Sequence, residues 1–244
     1  MAFPDINARI GSAIGHGLPQ PNSSFNRSGF VRGTLVHTNR GLMPIEALKV
    51  GDLVLSRPHH PQADPELIQH RVVRVVVHED MEVMNAAYMT TPKLRVGTRL
   101  FNIFCNRDQP FWVEQKGWTV ARKLTGDWLG SSPLTALDGT VMYAYPLEVF
   151  AMGRRDCGWI ADTGFHGPGR LWSFGEGRAL ENVHFDMHTW PWDDVGDVDG
   201  SGFVYRTTLY NVEVEVCHTL FVGEHGIWVG DSLYGPDALQ VANE

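Results

Sequence analysis

The sequence predicts an all-β fold on three observations. Its apolar residues recur in short runs, one after Gly33-Thr34 and another at Leu53-Val54-Leu55. Those runs are bounded by turn formers: Asn39-Arg40-Gly41, then Pro44, then the tight Gly51-Asp52 pair. Two longer stretches, residues 70–89 and 210–216, are β-branched or alternating, which suits strands rather than helices.

Composition narrows the function classes. A chain of 244 residues can bury a sizeable core, and 43% hydrophobic with 20% charged residues is ordinary for a globular domain. The formal net charge of −8 disfavours general nucleic-acid binding, because no basic stripe is available to neutralise phosphates. No apolar run approaches the length needed to span a bilayer, so no membrane role is expected. The first residues lack the basic and apolar regions of a secretory signal, and three cysteines make a disulfide framework unexpected. A cytoplasmic protein is the expectation, with export by a specialised secretion system still open.

In order, residues 1–28 are rich in Gly, Pro, Asn and Ser and read as a peripheral N-terminal arm. After Leu55 a Pro-dense polar loop carries His59 and His60, read as exposed loop residues. Residues 70–89 form a half-exposed ribbon turning at Glu79-Asp80, with Arg71, Arg74 and His78 as its polar points. Residues 130–206, rich in Gly and Trp, read as an insertion. Within it, His184, Asp186 and His188 share one face of a strand, and the two histidines stack if the segment is helical. Two imidazoles and a carboxylate suit a borderline metal such as zinc, but a solvated polar face is the simpler account, so no metal or other cofactor is expected. The acidic stretch from Asp193 to Asp199 loosely resembles a calcium loop, but Tyr205 stands where the closing Glu belongs, so it reads as an acidic turn. Residues 233–244 read as a tail.

Three blocks carry a family resemblance. Residues 29–55 (GFVRGTLVHTNRGLMPIEALKVGDLVL), the middle stretch with Pro110-Phe111-Trp112-Val113-Glu114 and Gly126-Asp127, and the closing HTLFVGEHGIWVGDS from His218 to Ser232 resemble Hint domains. These are the Hedgehog and intein autoprocessing modules, here closest to the bacterial polymorphic-toxin and Rhs-like subtype. The resemblance implies a pseudo-twofold horseshoe of short strands over residues 29–232, bringing the first and last strands to one centre. In that family a Cys or Ser attacks its own preceding carbonyl; Gly29 stands in its place. Asn106 and Gln109 stand where the middle block has a Thr and an activating His, and glutamine cannot shuttle a proton. Gly230 stands for the penultimate His and Asp231 for the Asn whose amide cyclises to cut the chain. His218 remains at an assisting position, and Ser232 at the acceptor position.

A centre of this kind works as a unit, and four of its groups are replaced. The resulting expectation is a degenerate Hint domain kept as a scaffold or interaction module, with another protein (an effector, immunity or adaptor partner) as its partner. Two enzymatic alternatives stay open. One is residual self-cleavage, through Ser28 with a one-residue slip, through Cys217 as a displaced nucleophile, or by acid-promoted scission at Asp231. The other is a new hydrolytic site built from His184, Asp186 and His188. The strands near residues 31–36 and 227–229 are expected to lie side by side.

Overall fold

A computed structural model describes residues 27–58, 67–127, 130–151, 156–161, 169–183 and 204–233. The strands open with β1 (Phe30–Val31), β2 (Leu35–Thr38), β3 (Gly41–Pro44), β4 (Leu53–Ser56), β5 (Ile68–Glu82) and β6 (Met84–Met89). Next come β7 (Phe104–Cys105), β8 (Pro110–Val113), β9 (Gly117–Val120), β10 (Gly126–Asp127), β11 (Gly130–Ser131) and β12 (Pro133–Thr135). Then follow β13 (Val141–Ala151), β14 (Cys157–Ala161), β15 (Gly169–Ser173) and β16 (Arg178–Val183), and the chain closes with β17 (Arg206–Val214), β18 (Thr219–Val222) and β19 (Ile227–Gly230). Helix among the described residues is limited to 3-10 turns at Ile45–Ala47 and Ala121–Lys123. All assigned pairings are antiparallel, and the all-β expectation holds.

Side chains close the turns of the first block. Thr38 Oγ1 donates to the Gly41 carbonyl at 2.7 Å and accepts from the Arg40 amide at 3.1 Å, which pins the β2–β3 hairpin. Glu46 accepts from the Gly33 amide at 2.8 Å, so the Pro-Ile-Glu segment holds the Gly-Thr turn that launches β2. Asp52 accepts from the Lys49 amide at 2.9 Å, and Arg40 reaches the same carboxylate at 2.6 Å.

Two long antiparallel pairs span the domain. β5 lies against β17 from Glu82↔Arg206 to Val72↔Val214, and β6 lies against β13 from Met84↔Glu148 to Met89↔Tyr143. All six residues of β6 are buried, with small Ala86 and Ala87 where packing is closest. The main core joins Phe30, Val36, Ile45, Phe111, Leu134, Val212, Leu220 and Val229, drawn from the start, middle and end of the chain. Complete burial of a side chain such as Phe30 contributes about 1.5–3 kcal/mol.

Two expectations are corrected. β19 does not lie beside β2: β18 stands between them, pairing Val222 with Val36 on one side and Phe221 with Trp228 on the other. β19 meets β8 instead, at Val229↔Phe111. The excursion also starts later than residue 130. β12 pairs with β8, and Leu134, Ala136, Met142 and Ala144 belong to the main core. Only β14–β16 extend outward from the far end of β13, as a meander. Even this meander shares a second core with β1 and β6, through Val31, Ala87, Phe104, Val149 and Ile160.

Candidate functional site

β1 places the first residues of the domain between two neighbours. Phe30 pairs with Tyr210 of β17 and with Cys105 of β7, and the Asn106 amide donates to the Gly29 carbonyl at 2.9 Å. The last strand delivers Asp231 to the same place. The Asp231 amide donates to the His218 carbonyl at 2.9 Å, and the Ser232 amide to the Val212 carbonyl at 3.2 Å. The Ser28 hydroxyl then reaches the Asp231 carbonyl at 3.5 Å, the outer limit of a hydrogen bond, across 203 positions of sequence. These contacts bring Ser28, Gly29, Asn106 and Asp231 to one place.

Its chemistry is that of a closed hydrogen-bond network. The Asp231 side chain is fully buried and accepts from the Val214 amide at 2.7 Å, the Leu233 amide at 2.8 Å and His218 Nδ1 at 3.2 Å. The Val214 amide is available because β17 slips register against β5 between Glu213 and Val214; the bulge turns that N–H off the ladder. His218, at φ +53°, is held above the usual imidazole pKa by its hydrogen bond to Asp231, against the opposing effect of burial and with help from the charges of Asp231 and Glu213.

Gln109 is wholly buried on the β7–β8 turn. Its Nε2 donates to the Gly230 carbonyl at 2.7 Å and more weakly to the Pro110 carbonyl at 3.3 Å. Its Oε1 has no partner among the described residues. Asn106 uses its side chain locally: Nδ2 donates to the Glu82 carbonyl at 3.3 Å, and Oδ1 accepts from the Asp108 amide at 2.9 Å. Neither side chain is hydrogen-bonded to the Ser28–Gly29 peptide. Gly29 is closed in as well: a Cβ there would stand 3.0 Å from the Tyr210 carbonyl oxygen and 3.3 Å from Leu209 Cβ.

Of the expected site residues, Ser28, Gly29, Asn106, Gln109, His218, Gly230, Asp231 and Ser232 come together. The Cys217 thiol lies 3.1 Å from His70 Nε2, away from the Ser28–Gly29 peptide, and burial raises its pKa. His184, Asp186 and His188, with the Asp193–Asp199 stretch, lie outside the described residues. Among the described residues no group of three or more His, Cys, Asp or Glu side chains is arranged to hold a metal, and no helix is long and apolar enough to cross a membrane.

Sequence reasoning missed the lining supplied by β17. Buried Asn211 donates from Nδ2 to Ser28 Oγ at 3.1 Å and accepts the Val212 amide at 2.8 Å. Glu213 pairs with Arg74 and accepts from the Ser232 hydroxyl at 3.3 Å. The available signal was two polar residues at alternate positions of the mostly apolar second half of the strand, Leu209–Val214.

An all-β domain that brings Ser28 and Asp231 to one buried polar centre is what the structure presents. Residues 28–98 match the profile of the Hint domain family. Solved structures similar to it include a bacterial intein-like domain from Clostridium thermocellum, 21% identical over 83% of this chain and 97% of that one, TM-score 0.48. A DnaB intein from Synechocystis is 10% identical over 84% of this chain and 98% of that one, TM-score 0.44. A DnaX mini intein from Spirulina platensis is 14% identical over 84% and 99%, TM-score 0.42. Comparison with curated proteins returns no match.

Proposed function

We propose that this Hint domain has exchanged self-processing for a structural clasp and serves as a scaffold or protein-interaction module. The observation that carries the reading is the buried Asp231 carboxylate at the cyclisation position, satisfied by two backbone amides and His218. A carboxylate has no amide nitrogen with which to form a succinimide. Two of its three acceptor bonds instead tie the end of β19 to β17 and to the residue that precedes β18, and the third closes the local turn at Leu233. The other positions agree. Gly29 offers no nucleophile, and Gln109 Nε2 addresses the Gly230 carbonyl, not the Ser28–Gly29 amide that an activating group would have to protonate. Among the described residues, the Ser28 hydroxyl meets the Asp231 carbonyl and the Asn211 amide, neither of which is a base.

Such a module acts by holding another protein. The likeness of the middle and closing blocks to polymorphic-toxin Hint domains is the ground for proposing an effector, immunity or adaptor protein as that partner. The test is intact mass spectrometry of the full chain after days of incubation, with and without a thiol, at neutral and mildly acidic pH. A single unchanged mass is expected. Specific cuts before Ser28, before Gly29 or after Asp231 at neutral pH overturn the clasp.

A further inference from the structure

A cavity of about 360 Å³ opens between the β1–β2 turn, the segment leading to β7, the β18–β19 turn and the β15–β16 hairpin. That volume lies within the range of small-molecule sites. None of Ser28, Gly29, Asn106, Gln109, His218, Gly230 or Asp231 lines it, so it is separate from the vestigial centre.

Five rings form its walls, and neighbouring rings hold them in place. Phe101 stacks on Tyr88 with centroids 5.3 Å apart, while Phe104 meets Trp172 at 5.0 Å and Phe174 at 4.9 Å. Phe174 in turn stacks on Tyr205 at 4.4 Å, and the Tyr88 hydroxyl is hydrogen-bonded to His225 Nδ1 at 3.1 Å. Rings fixed this way present a pre-formed apolar surface, which lowers the ordering cost of binding. Burial pushes the Tyr88 hydroxyl up to about 12, so it presents a neutral group at ordinary pH.

The ionisable lining of the cavity is Arg32, Arg99, Glu224 and the Tyr88 hydroxyl, and Arg32 is paired at 3.5 Å with Glu46 beside it. Arg99 is held over the face of Phe101 at 4.4 Å and pairs with Glu224 at 3.1 Å, leaving further guanidinium donors turned to solvent. Asn102 accepts from Asn85 Nδ2 at 2.9 Å, while its own NH2 has no acceptor among the described residues.

We infer that this cavity is a binding site for a flat aromatic molecule carrying one anionic group. The rings are set between Phe101 and the Trp172–Phe174 wall, and the anion is met by Arg99 and the Asn102 amide. The pairing follows from the chemistry: stacked rings take an aromatic face, and a guanidinium already fixed by a cation–π contact takes a carboxylate or sulfonate with little further ordering.

The test uses the full chain and anilinonaphthalene sulfonate as the probe, with uncharged phenyl-naphthylamine as its neutral counterpart, followed by calorimetry and probe fluorescence. One saturable site per chain is expected, with the sulfonate bound at least about tenfold more tightly than the neutral amine. Trp172→Ala should weaken both probes about tenfold or more. Arg99→Glu changes an exposed side chain and leaves the core untouched, so it should fold; it should weaken the sulfonate about tenfold and leave the amine unchanged. Absence of saturable binding, equal affinity for the two probes, or sulfonate binding unaffected by Arg99→Glu would each overturn the assignment.

Discussion

Asp231 and His218 show how much a carboxylate can gather at one point. Its two oxygens let Asp231 accept two backbone amides and an imidazole together. The pairing has a pH signature. A histidine whose folded pKa is raised stabilises the fold fully below its unfolded value, about 6.5, and that stability is lost as pH rises through the folded value. His37 and His78 act in the opposite sense, because burial lowers both, with Arg27 and Arg74 adding to the effect on His78. Whole-protein stability therefore mixes the two trends, and a difference isolates one of them. Urea unfolding of wild type and His218→Gln should differ most near about pH 5.5, by roughly 1.5–3 kcal/mol for a hydrogen bond to a charged group, and least near about pH 8.5. A gap that is constant across that range would show that the imidazolium does not contribute through Asp231.

Among the elements, legibility follows how local the determinants are. The β2–β3 hairpin and the turns around it were readable, because Thr38, Gly41 and Asp52 each act within a few residues of where they stand, and Glu46 reaches back only to Gly33 in the same block. The strands of the middle and closing blocks were readable from alternation and turn residues. What was not readable depends on partners far along the chain. The register slip at Glu213/Val214 arises from pairing with β5, yet it sets the donor for Asp231. The membership of β12 and β13 in the central sheet depends on β8 and β6 beside them. The meander has its own long-range determinant. The Trp159 ring covers Gly169, and a Cβ there would lie 2.3 Å from ring atoms. A ring lying over a strand glycine restores the packing that glycine lacks. Gly169→Ala must therefore displace Trp159 from between β14 and β15. Hydrogen exchange should show lost protection in β14–β16, with β5 and β17 protected as before. Uniform loss across the sheet would mean that the meander and the core unfold as one unit.

For the whole molecule, pairing between strands far apart in sequence decides which residues meet at the centre. The fold carries Ser28 and Asp231 to one point through the pairing of β1 with β7 and β17, and of β19 with β8 and β18, over a shared core to which the Asp231 side chain adds its own bonds. Rebuilding the family pattern with Gly29→Cys, Gln109→His, Gly230→His and Asp231→Asn asks whether that geometry suffices. Three features argue that it does not. The Cβ introduced by Gly29→Cys would press on the Tyr210 carbonyl at 3.0 Å, a backbone atom within a paired strand, and overpacking of this kind costs about 1–3 kcal/mol. A histidine placed along the Gln109 direction would address the Gly230 carbonyl, 2.7 Å from the present Nε2, and leave the Ser28–Gly29 amide without a proton donor. Replacing Asp231 by Asn also sets an NH2 against either the Val214 or the Leu233 amide, donor facing donor. The fourfold variant should therefore fold with reduced stability and release no fragment over days by intact mass. A variant that cuts before residue 29 or after residue 231 would show that the centre has kept its working geometry and lost only its reactive groups.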